Sequence, residues 1–172
     1  AFNPENLHQF ESILTQGNGY LGTRGTFEEG YPGDRPATLI HGLWDDVPLI
    51  FTELANTPDW AELEVYVDGE RFSLATAAIA DYARTLDLRT GVLRRRLRWQ
   101  LPGEGPRVDL YFERVPSLAD PHVLVTRVCV EPLDQPVSVE IRAPLSAHAE
   151  NPGFMREGIV HWDLVEEQVG GE

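Results

Sequence analysis

Turn signals recur along this chain at intervals of about 8 to 12 residues, and that spacing limits the fold more than any other feature. Pro102-Gly103, Pro116-Ser117, Pro132-Leu133 and Asn151-Pro152-Gly153 punctuate short apolar runs over 108–115, 123–130, 137–143 and 159–166. Asp68-Gly69 closes a two-residue hairpin between 63–67 and 71–74, and Thr90-Gly91 lies between 86–89 and 92–101. Upstream, 37–44 reads as a strand ending in a turn at Asp45-Asp46-Val47-Pro48, and Leu49-Ile50-Phe51 as a short strand after it. The alanine-rich 75–83 fits a helical turn or two, and 7–15 suits strand or helix equally. No long helix, repeat or linker interrupts this pattern, so the chain is predicted to be all-β, an antiparallel sandwich or barrel. Its 172 residues suit one domain with a substantial core.

The segment 92–101 shows the alternation most clearly. Leu93, Leu97, Trp99 and Leu101 share one face, and Arg94, Arg96, Arg98 and Gln100 the other. Arg95 falls on the apolar face, where it requires a buried acid or carbonyl partner. The outward arginines suggest cross-strand pairing with Asp109, Glu113 and Glu140 rather than nucleic-acid binding. A net charge of −14 likewise opposes a polyanionic partner, whether nucleic acid or anionic membrane. The run 123–128 is largely apolar on both faces, as expected between two layers. Cys129, the only cysteine, excludes an internal disulfide, fits a buried position and favours a cytoplasmic setting. No apolar run is long enough to span a membrane and no leader opens the chain. It starts without methionine and stops at Gly170-Gly171-Glu172, which reads as a piece of something longer.

Gly17, Gly19 and Gly22 match the GxGxxG spacing of a pyrophosphate cradle. That cradle needs a helix opening inside it, and the following Thr23-Arg24-Gly25-Thr26-Phe27-Glu28-Glu29-Gly30 leaves no room for one. The stretch is better read as a turn between strands. Asn18 there tolerates a left-handed conformation, and Tyr20 and Arg24 are presented from it.

No self-contained active site is visible. The adjacent acids Glu28-Glu29, Asp45-Asp46 and Glu166-Glu167 would point to opposite faces on a strand, and the default for each is a solvated loop. The histidines lack ligand spacing: His41 with Asp45 or Asp46 does not complete a three-ligand metal set. The serines lack a nucleophile-elbow context. Tyr20, Tyr31, Trp44 and Trp60 lie in or beside loops rich in glycine, aspartate and proline. There they suit sugar stacking or, as favoured here, docking against another domain. The candidate substrate or interface residues are therefore Asn18, Tyr20, Arg24, Trp44, Asp45, Asp46 and Trp60, with no catalytic residue and no metal ligand.

Three motifs carry a resemblance: 11–25 (ESILTQGNGYLGTRG), 53–60 (ELANTPDW) and 82–95 (YARTLDLRTGVLRR). In this order they resemble the N-terminal domain of glycoside hydrolase family 65, which includes the maltose, trehalose and kojibiose phosphorylases and related acid trehalases. The resemblance implies a two-sheet supersandwich similar to galactose mutarotase, with 1–172 as one N-terminal domain preceding an (α/α)6-barrel that holds the general acid and the phosphate site. No catalytic residue carries over onto this chain. It further implies a parent enzyme that cleaves an α-glucosidic disaccharide with inversion. A phosphorylase would take inorganic phosphate as co-substrate and no resident cofactor; a hydrolase would use water and a base. The expected role is a domain inactive alone that packs on its own C-terminal barrel, shapes the rim of the active site and contributes to a homodimer. An independent carbohydrate-binding module is the alternative. A mutarotase-like epimerase would need a paired His and Glu, and none stands out among His41, His122 and His161.

Overall fold

The computed structural model describes residues 6–47, 51–146, 149–151 and 158–163. These form one short helix, α1 (Leu7–Ile13), and thirteen strands: β1 (Gln16–Gly17), β2 (Leu21–Thr23), β3 (Thr38–Val47), β4 (Phe51–Asn56), β5 (Glu64–Val67), β6 (Glu70–Arg71), β7 (Ala78–Asp87), β8 (Val92–Gln100), β9 (Arg107–Pro116), β10 (Leu124–Pro132), β11 (Val139–Arg142), β12 (Glu150–Asn151) and β13 (Ile159–Val160). Every pairing is antiparallel. The domain is all-β, as the turn spacing predicts.

Two sheets face each other across the core. One has the order β10-β9-β8-β7 and the other β11-β5-β6. The alternation in β8 and β9 supplies one wall: Leu97, Trp99, Val108, Leu110 and Phe112 are buried. They meet Val65, Val67, Phe72 and Leu74 from the opposite layer. Each such side chain contributes about 1.5–3 kcal/mol by leaving water. A third sheet, β1-β2-β3-β4, is tied to this sandwich by Gln16, whose amide donates to the carbonyl of Arg114 at 3.0 Å. A small fourth sheet pairs β12 with β13.

Several details differ from the expectations. Residues 7–13 resolve to helix. The alanine-rich 78–83 belongs to β7, because pairing with β8 outweighs alanine's helical preference. Asp45, Asp46 and Val47 continue β3 in register with Glu53, Thr52 and Phe51 instead of turning; Pro48, Leu49 and Ile50 lie outside the described residues, as do 164–166. Four residues, 88–91, separate Asp87 from its partner Val92, a longer loop than Thr90-Gly91 alone. β10 alternates between half-buried and exposed positions, so only one of its faces meets another layer. Cys129 sits on the outward face opposite Tyr111 and is exposed, not buried. On that outward face Arg98 pairs with Asp109 and Arg94 with Glu113, as expected, whereas Glu140 pairs with Arg142 of its own strand.

Candidate functional site

The glycine stretch opens the third sheet. Residues 18–20 form the turn between β1 and β2. The Asn18 carboxamide oxygen accepts from the backbone N–H groups of Tyr20 and Leu21, and the left-handed residue is Gly19 (φ +89°) rather than Asn18. The amide end of Asn18 donates to the carbonyls of Ser117 and Pro121, at 2.8 and 3.0 Å, and Tyr20 packs on His122 with ring centroids 4.5 Å apart. Both residues therefore fasten this turn to the loop between β9 and β10. No helix follows the glycines, so the phosphate-cradle reading stays excluded.

Beyond β2 the chain runs over a buried ionic network that positions residues 24–31. Gly25 passes so close to the end of α1 that a Cβ there would stand 2.8 Å from both the Cβ and the carbonyl oxygen of Leu14. Arg24 turns back to that helix, donating to the carbonyl of His8 and pairing with the buried Glu11 carboxylate at 3.3 Å. The other oxygen of Glu11 accepts from the Tyr31 hydroxyl at 2.7 Å. Burial, and secondly this acid, push the Tyr31 pKa up. Arg84 from β7 donates to the carbonyls of Gly25 and Thr26, and Arg114 from β9 to those of Arg24 and Thr26.

Arg95 lies at the centre, with 2% of its surface exposed. Its guanidinium makes a two-pronged pair with Glu29 and stands 2.7 Å from a Glu28 oxygen. It lies over the rings of Phe27 and Phe112, 4.8 and 4.3 Å from their centroids. The buried acid demanded by an arginine on the apolar face is thus a pair of acids. Glu28 and Glu29, expected to be solvated, are instead buried, because the loop carries them under the sheet to Arg95. Burial alone would raise the Glu28 pKa, but Arg95, Arg114 and Arg84 outweigh it and hold this carboxyl below the ordinary range. Both acids are thereby committed to charge pairing with Arg95.

The remaining candidates lie elsewhere. Trp60 is inside the third sheet, its indole N–H shared between the Thr23 and Thr38 hydroxyls at 3.3 and 3.1 Å. Trp44 stands 56% exposed on the β3–β4 hairpin. Asp46 accepts from Thr52, while Asp45 on the opposite face contacts His161 at 2.8 Å. His161 also reaches Glu53, so a His–Glu pair does exist, but both ring nitrogens are occupied by carboxylates and neither is free to serve a substrate. The seven candidates therefore divide among the β1–β2 turn, the α1 contact, the third sheet and the hairpin; they do not converge on one cleft. Among the described residues no group of histidines, cysteines or acids is placed to hold a metal ion. Sequence reasoning missed Arg84, Arg114 and Glu11. Arg114 carried a usable signal, since it continues the inward register of Val108, Leu110 and Phe112.

All three motifs feed this framework: Glu11, Arg24 and Gly25 from the first, Asn56 and Trp60 from the second, Arg84 and Arg95 from the third. Residues 1–170 match the profile of the glycosyl hydrolase family 65 N-terminal domain. The chain belongs to that family. It is 35% identical over 152 residues to the kojibiose phosphorylase of Halothermothrix orenii, covering 88% of this chain and 19% of that protein. It is 31% identical to the kojibiose phosphorylase of Escherichia coli K12, over 99% of this chain and 22% of the relative. Against the alpha,alpha-trehalose phosphorylase of Thermoanaerobacter brockii the identity is 27%, over 87% and 21%. A solved structure named "Putative kojibiose phosphorylase from human microbiome" superposes with a TM-score of 0.68 at 24% identity, over 77% of this chain and 19% of that one, and supports the fold. This chain of family 65 thus spans about a fifth of the length of the relatives it matches. No helix among its described residues is long and apolar enough to cross a membrane.

Proposed function

We propose that this family 65 chain is the non-catalytic N-terminal domain of an inverting α-glucoside disaccharide phosphorylase or hydrolase of the cytoplasm. In this reading it packs on its own C-terminal helical barrel and shapes the rim of the active site there, and the parent enzyme forms a homodimer. The observation that carries the proposal is where the motif side chains and their buried partners go. Glu11, Arg24, Glu28, Glu29, Arg84, Arg95 and Arg114 are committed to one another and to backbone carbonyls, a scaffold that presents a loop rather than a set of reacting groups. The kojibiose and trehalose phosphorylases among its relatives favour phosphorolysis, with inorganic phosphate as co-substrate and no resident cofactor. The free-standing carbohydrate module gains little support. Tyr31 is buried, Trp60 is bonded inside the sheet, and Tyr20 is stacked on His122, which leaves Trp44 as the exposed member of the set.

The test compares the 172-residue chain with the full-length protein. Kojibiose, trehalose and maltose are each supplied with inorganic phosphate, and β-glucose 1-phosphate and free glucose are both followed. Turnover by the full-length protein alone is the expected result. Turnover by the short chain would overturn the non-catalytic assignment, and glucose release independent of phosphate would select the hydrolase.

A further inference from the structure

Asp45 on β3 and Glu53 on β4 are cross-strand partners, so their carboxylates share one face of the hairpin. The ring of His161, from the segment 158–163, is inserted between them. Nδ1 lies 2.8 Å from Asp45 and Nε2 lies 3.0 Å from Glu53, and the side chain is only 2% exposed. An ionised carboxylate only accepts hydrogen bonds, and a neutral imidazole carries one N–H. A neutral His161 would therefore serve one acid and turn a lone pair toward the other. Only the doubly protonated ring donates to both.

We propose that the segment 158–163 is fastened to the β3–β4 hairpin by a proton: a histidinium clasp that is closed in the acidic to neutral range and loosens as pH rises. Among the described residues, Asp45 from β3 and Glu53 from β4 are the charged groups that face the ring. Burial opposes the charged form, but the two carboxylates prevail and hold the His161 pKa above its ordinary value. The sign follows: the clasp's contribution is full below the unfolded histidine pKa and is lost as pH rises through the higher folded one. The neighbouring ties are neutral and do not titrate. Trp162 donates to the carbonyl of Asn56, and Asn151 bonds the Asn56 N–H and the Leu54 carbonyl. Loss of the proton therefore weakens one side of the attachment without removing the rest.

Hydrogen exchange on the full-length protein tests this. Peptides covering 51–56 and 158–163 are followed from pH 5.5 to 9, with rates corrected for intrinsic base catalysis. Opening of these peptides should increase by up to about tenfold per pH unit above the folded histidine pKa, while peptides from β8 and β9 stay flat. Glu53→Gln supplies an amide donor to a neutral ring, so it should abolish the pH dependence and keep the segment protected. His161→Phe should leave the segment less protected, to the same degree at every pH, with the neutral Trp162 and Asn151 ties still in place. Flat protection in the unmodified protein, or an unchanged pH profile in Glu53→Gln, would overturn the proposal.

Discussion

Replacing Arg95 with methionine removes the charge at the centre of the buried network and keeps most of the side chain's bulk. The guanidinium lies 2.7–2.8 Å from oxygens of both Glu28 and Glu29. At an effective dielectric constant of about 20, each close contact is worth roughly 6 kcal/mol before desolvation is subtracted. Removing one member of a buried pair typically costs about 3–5 kcal/mol, because the partner stays buried without compensation. The two aromatic faces against the guanidinium add about 0.5–2 kcal/mol. Arg84 and Arg114 still face Glu28 and offset part of the loss, so the expected cost is about 4 kcal/mol. With a urea slope of about 2 kcal/mol per molar, the midpoint should fall by roughly 2 M. Circular dichroism on the 172-residue chain reads this directly. The loss should also depend on pH. In Arg95→Met the cation that most lowers the Glu28 pKa is gone, so the deficit is greatest at alkaline pH and shrinks on acidification as Glu28 takes up a proton. Arg94→Met, which breaks an exposed pair with Glu113, should cost no more than about 1 kcal/mol. A deficit for Arg95→Met below about 1 kcal/mol, or one independent of pH, would refute the assignment of a buried ionic centre.

In the unmodified chain the Glu28 pKa lies below that of the unfolded state, so its contribution is present above about pH 4.3 and lost as pH falls through the lower folded value; acid titration by circular dichroism should show stability falling on that side. Gly25→Ala forces a methyl into the end of α1 and should cost about 1–3 kcal/mol in the same urea assay, whereas Gly19→Asn meets no neighbouring atom and should cost about 1 kcal/mol through backbone strain at φ +89° alone. Trp60→Phe removes the donor shared by two buried hydroxyls and should cost about 1 kcal/mol, measured by thermal melting. In the full-length protein Arg24→Met should lower stability by leaving Glu11 without its guanidinium, while Tyr20→Ala should release the contact with His122; an unchanged melting temperature in both would remove this turn from the domain's working structure.

The strand plan was legible because β8 and β9 carry an unbroken period of two, and because the turns are marked by Asp-Gly, Thr-Gly and Pro-containing pairs. The inward arginine was legible for the same reason: Arg95 breaks its own face. Its partners were not. Glu28 and Glu29 sit in a segment without periodicity, and nothing local distinguishes an acid folded under a sheet from one in water. Of the helical turn expected over 75–83, the first residues do form a turn, closed by the Ala77 N–H on the Ser73 carbonyl, but 78–83 is strand because alanine's helical preference is small beside a ladder of strand pairing; Cys129 was misplaced because a residue's face on an edge strand depends on which side the second layer covers. His161 joins Asp45 across 116 residues, a separation that no motif spacing encodes.

The ties of the third sheet have a consequence for the order in which the chain can acquire structure. Gln16 reaches Arg114 across 98 residues, Asn18 reaches Ser117 across 99 and Pro121 across 103, and Asn56 is held by Glu150 and Asn151 across 94 and 95. Such separations place this domain among slowly folding, high-contact-order topologies. During synthesis the first sixty residues emerge well before the strands that anchor them, while the hairpins of β7, β8 and β9 close on near neighbours. The β3–β4 hairpin can likewise close locally, but the ties that join the glycine-rich turn to the sandwich must wait for residues 114–121. The glycine-rich turn at the front of the sequence is among the last parts to be secured, and until then its unpaired edges are available to chaperones or to misassociation.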